Sequence, residues 1–112
     1  MSVPSPGFAV VLDTPGPPPR IVVRGEVDIA TAGELAACME QALELGPPVL
    51  VDLSQVTFLD STGLSVIVRA LERYDYAEGS IQLIDPPPTV QRTLEITNII
   101  DLVSIDHRSE SI

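Results

Sequence analysis

The chain has no lysine and no tryptophan, a single cysteine, a single histidine, and only two phenylalanines and two tyrosines in 112 residues. Each shortage excludes something. One cysteine, Cys38, leaves no internal disulfide and fits a reducing interior. One cysteine with one histidine provides no zinc or transition-metal cluster. Without lysine there is no P-loop, and no cofactor is called for. His107 lies in a polar tail and Asp60-Ser-Thr-Gly63 lacks the Gly-x-Ser-x-Gly elbow, which argues against a hydrolase triad. No apolar run approaches the ~20 residues of a membrane span, and residues 1–7 lack the build of a signal peptide. The default address is cytoplasmic.

What is present is aliphatic and acidic. Apolar residues make up 45% of the chain. With so few aromatics the core must be Val, Ile, Leu and Ala, which favours α/β layering in one domain. Sixteen acidic residues face six arginines, for a formal charge of −10. Such a surface repels phosphate backbones and anionic lipid, so neither nucleic acid nor membrane is an expected partner. It suits a protein with a basic docking face, and it keeps the free chain monomeric.

Hydrophobic patterning orders the elements. Phe8-Ala-Val-Val-Leu12 and Ile21-Val-Val23 read as a hairpin joined by a stiff, extended loop, Pro15-Gly-Pro-Pro-Pro19. Thr31-Ala-Gly-Glu34 matches a capping box. It opens a helix whose apolar stripe is Leu35, Cys38, Met39, Ala42 and Leu43, ended by Gly46-Pro47-Pro48. Cys38 on that stripe is a packing residue. Val49-Leu-Val-Asp-Leu53 reads as a buried strand. A second helix is predicted over 62–76, with Leu64, Ile67, Val68, Leu71 and Tyr74 at helical spacing. Gly79 turns the chain into a strand at Ile81-Gln-Leu-Ile84. Pro86-Pro-Pro88 opens a third helix that uses Val90, Leu94 and Thr97 and ends near Asn98. Leu102-Val-Ser-Ile105 closes the sheet. The predicted fold is α/β: an N-terminal β-hairpin, then repeated strand–helix units with a mixed, mostly parallel sheet. Its boundaries are 8–106, with a flexible N-terminus at 1–7 and a flexible tail at 107–112.

The segment Phe58-Leu-Asp-Ser-Thr-Gly-Leu64 carries the chemistry. Phe58 and Leu59 are core-type residues, and Asp60, Ser61 and Thr62 all favour a helix start. Ser61 is thereby presented at the positive end of a helix dipole, where an anion is welcome. It is a candidate phosphate acceptor, with Thr62 the competing acceptor or the cap. Gly25-Glu-Val-Asp28 reaches the same carboxyl edge of the sheet, so the two loops form one candidate surface.

Three segments resemble a STAS domain of the anti-sigma factor antagonist family: Arg24-Gly-Glu-Val-Asp28, Val51 through Leu64, and Val90-Gln-Arg-Thr-Leu-Glu-Ile-Thr-Asn98. The likeness spans about residues 8 to 106. It implies a partner-switching role in which the protein binds an anti-sigma factor serine kinase and releases a sigma factor. It also implies phosphorylation of Ser61 by that kinase and reversal by a metal-dependent serine phosphatase. Asp28 and Asp60 then lie beside the serine, and Asp28, Asp60, Ser61, Thr62 and Gly63 form the partner-binding site of a protein that is not an enzyme. The tail after Ile105 is short for the family, and the proline-rich loop is long. The alternative is a constitutive STAS accessory subunit of a transport ATPase complex, with a small-ligand sensor as a third reading.

Overall fold

The structure, a computed structural model, describes residues 7–13, 18–45, 48–74, 81–98 and 103–108. Its elements run β1 (Ala9–Asp13), β2 (Arg20–Val27), α1 (Ala32–Glu44), β3 (Val49–Leu59), α2 (Ser61–Tyr74), β4 (Ile81–Ile84), α3 (Pro88–Ile96) and β5 (Ser104–Asp106). The strands form one sheet in chain order. β1 pairs antiparallel with β2, and every later pairing is parallel. The predicted hairpin and mostly parallel sheet are both present. Crossovers that always step to the next strand in one hand place all three helices on one face. A single apolar core accordingly joins Leu35 and Met39 of α1, Leu64 of α2, and Val90 and Leu94 of α3 to Ile21, Val23, Val51 and Leu83 of the sheet.

The stripe expected on α1 is buried in full. Burial also pushes the Cys38 thiol up from its ordinary value, which suits a packing role. On the other face of the sheet Arg20 and Asp52 form an ion pair at 2.6 Å.

β3 is the unusual strand. It has 11 residues where five were expected at its start, and it pairs with the eight-residue β2 through two irregularities. The register begins at Arg20 opposite Leu50 and ends at Val27 opposite Leu59, so β3 carries two extra residues. Each bulge resets the alternation of side chains. The β3 positions in the core therefore run Val49, Val51, Leu53, Val56 and Leu59, spaced by two and then by three. Phe58, read from sequence as core, is 50% exposed for this reason, whereas Leu59 is buried.

Other differences are local. Thr31 begins α1 but makes no side-chain cap, so the predicted capping box is not formed. α2 begins at Ser61, one residue earlier than predicted, and Asp60 caps it in place of Ser61 or Thr62. Val90 and Leu94 pack α3 as expected, but Thr97 is its exposed C-cap, and Asn98 at φ 63° ends the helix in the left-handed region. β5 lies at 104–106, and Asp85 accepts the amide of Arg108 at 2.6 Å, so the chain remains tied to the domain there. The expectations for the flexible N-terminus at 1–6, Pro15 to Pro17 of the extended loop, Gly46-Pro47 as helix stop, residues 75–76 of the second helix, Gly79, Leu102 and the tail at 109–112 lie outside the described residues. So do those for the side chains of Ile67, Leu71 and Tyr74.

Candidate partner-recognition site

The two loops named from sequence meet at the carboxyl edge of β2 and β3. The extra residues of β3 carry Leu59 level with Val27, and the amide of Asp60 then donates to the Val27 carbonyl at 3.2 Å. Asp28 and Asp60 each follow directly on that junction.

Asp28 sits in a turn held from beneath. Its Oδ1 accepts the Ala30 amide at 2.9 Å, an Asx turn. Its own amide donates to Thr31 Oγ1 at 2.9 Å, and that hydroxyl donates to the Glu26 carbonyl at 2.9 Å. Thr31 is 2% exposed, so its hydroxyl needs partners inside the fold. The turn supplies them, which is why it does not cap α1.

Asp60 repeats the arrangement. Its Oδ1 accepts the amides of Thr62 at 2.9 Å and Gly63 at 3.1 Å. The helix end that was expected to receive a phosphate locally thus has two of its donors already engaged by a carboxylate. In each aspartate the hydrogen bonds of the turn fall on Oδ1. Ser61 is exposed at the first position of α2, and its carbonyl accepts the Ser65 hydroxyl at 2.8 Å. Thr62 is half-buried beside it. Gly63 is buried: a Cβ there would lie 2.5 Å from Leu59 Cδ1 and 2.7 Å from Val27 Cγ1. It lets α2 begin directly on the strand ends, which sets the height of Ser61 on the rim.

Ser61, Ser65 and Arg69, one helical turn apart, form a ridge between two shallow grooves. One, of about 350 Å³, runs toward α3 and includes Glu72 and Thr97. The other, of about 400 Å³, runs against α1 and includes Ile29 and Val66. The apolar periodicity of α2 does not mark this polar stripe, although its i, i+4, i+8 spacing is legible. Nor does it mark Ile29, which is 84% exposed beside Asp28. Among the described residues no group of three or more His, Cys, Asp or Glu is placed to hold a metal ion. No described helix is long and apolar enough to cross a membrane.

A sequential, mostly parallel sheet with helices over one face and a serine on its exposed carboxyl edge defines a STAS domain. The family pattern described as "Mlab, STAS domain" matches residues 10–104, and the chain belongs to the STAS family, among the anti-sigma factor antagonists. An anti-sigma-B factor antagonist of Listeria monocytogenes is 31% identical over 86 residues, covering 76% of this chain and 75% of that protein. One of Bacillus subtilis is 29% identical over 91 residues, covering 81% and 84%. The crystal structure of an anti-sigma factor antagonist from Mycobacterium paratuberculosis shares the fold with a TM-score of 0.75 at 21% identity, covering 93% of this chain and 90% of that one.

Proposed function

We propose that this protein is an anti-sigma factor antagonist in the cytoplasm, which binds an anti-sigma factor serine kinase, frees a sigma factor, and is switched off by phosphorylation at Ser61. The observation that carries the reading is the exposed Ser61 directly after Asp60, whose amide is bonded to the strand end from which Asp28 leaves. The names of the sequence relatives support the antagonist role.

The antagonist is substrate and binding partner, with no chemistry of its own; ATP and magnesium belong to the kinase. Transfer adds about −1.5 to −2 charges and three acceptor oxygens at Ser61. Asp60 already occupies the nearest helix amides, so the phosphate adds to a carboxylate rim in place of being absorbed by the helix end. A like-charge contact near 4 Å is worth roughly 4 kcal/mol at a surface-like dielectric, and a third of that weakens binding about tenfold. The switch is therefore exclusion by charge and bulk without refolding of the domain. A metal-dependent serine phosphatase restores the binding form, and the acidic free protein stays monomeric.

The test is purification of the protein from its own host with its bound partners, followed by phosphosite mapping. Recovery of a histidine-kinase-like ATPase with phosphate on Ser61 supports the reading. Recovery of a transport ATPase with Ser61 unmodified overturns it in favour of a constitutive accessory subunit.

A further inference from the structure

We propose, resting on the antagonist reading above, that the groove between α1 and α2 is the slot for a helix of the partner kinase, which presents a carboxylate to Arg69. The α1 wall is built from Ala32, Gly33 and Ala36, with Ile29 standing exposed at its start. Small residues along one wall leave room for an incoming backbone, and Ile29 offers an apolar anchor at the end nearest Ser61. From Ser61 to Arg69 the α2 wall is about 12 Å long at 1.5 Å per residue, the length of two turns of a partner helix.

Charge selects the occupant. The chain carries −10 overall, yet among the described residues no acidic side chain lines this groove and Arg69 is its one cation. Arg69 makes no ion pair among the described residues. A partner basic over most of its face and acidic at one point would match this pattern. The slot also explains why Ser61 is an effective gate. Phosphate there stands at the mouth of the groove, in the path of the incoming helix.

The experiment is calorimetric titration of the full chain with the purified anti-sigma factor kinase that phosphorylates Ser61. The variants are Gly33→Leu, Arg69→Glu, Arg69→Lys and Ser61→Asp, with Leu45→Ser at the far end of α1 as control. A side chain at Gly33 meets nothing within 4 Å, so Gly33→Leu fills the groove while the domain stays folded, as thermal unfolding would verify. Gly33→Leu and Arg69→Glu should each weaken binding about tenfold or more, the scale of one lost interfacial charge pair or anchor. Arg69→Lys should recover most of the affinity, and Leu45→Ser should bind as wild type. If Ser61→Asp is excluded while Gly33→Leu and Arg69→Glu bind normally, the slot is wrong and the antagonist reading survives. Tighter binding by Arg69→Glu also overturns the slot. If the wild-type chain binds no such kinase, both fall.

Discussion

The amide of Asp60 hydrogen-bonds the carbonyl of Val27, so the last residues of two parallel strands are tied together and both acidic turns leave from one point. This junction exists because β3 is two residues longer than its partner over the paired stretch. With regular pairing from Val22 opposite Asp52, Thr57 would stand opposite Val27 and Asp60 would overrun the end of β2. The rim is a consequence of sheet register.

Ser61→Ala removes the acceptor but neither acidic turn, because the cap of α2 is the Asp60 side chain. This variant should bind the kinase persistently in the presence of ATP. Ser61→Asp places a charge at the mouth of the site and should bind about tenfold more weakly or worse. Equal affinities for the two variants in a titration would count against exclusion by charge.

Gly63 and Gly33 should respond oppositely to alanine. At Gly63 the new methyl collides with Leu59 and Val27 beneath α2, an overpacking worth about 1–3 kcal/mol. At Gly33 in α1 the same change meets open space and should stabilise by about 0.5–1 kcal/mol through helix propensity. Urea unfolding of the two variants measures both, and a neutral Gly63→Ala would show that α2 can shift without loss.

Thr31→Val keeps the shape but removes the acceptor for Asp28 and the donor to Glu26. Two part-buried backbone groups then lose this partner, at a cost of about 1–3 kcal/mol. Thr31→Ser should retain most of the stability. If the turn sets the position of the Asp28 carboxylate, Thr31→Val should also lower kinase affinity at temperatures where the domain is fully folded.

Much of this was legible in the residues. The helical stripe of α1 and the β-branched start of β3 follow from periods of 3.6 and 2, and the serine at the start of α2 follows from its neighbours. Phe58 was misplaced because a bulge breaks the period of 2 without leaving any compositional mark. Thr31 was misread because its hydroxyl had two possible sets of backbone partners. A capping box is a local motif, whereas the turn that claimed the hydroxyl depends on where β2 ends. The ridge of Ser61, Ser65 and Arg69 was missed for another reason: apolar periodicity searches for the buried face of a helix and is silent about the exposed one.

Asp52 makes stability depend on pH in a direction that can be stated. Burial raises its carboxyl, but the hydroxyl and amide of Ser54 and the guanidinium of Arg20 outweigh this and hold it below its ordinary value. A carboxyl depressed in the folded state adds stability above the pKa of the unfolded chain. That contribution shrinks as the pH falls through the ordinary aspartate range and is gone below the folded value. Asp52→Asn should therefore lower stability at neutral pH by about 1–3 kcal/mol, the scale of a lost charged hydrogen bond. The gap to wild type should close in acid. Since Asp52 lies on the sheet face away from the core helices, the variant should leave kinase affinity unchanged. Unfolding curves for both proteins across the acidic range test this, and a stability gap constant with pH would exclude Asp52 as its source.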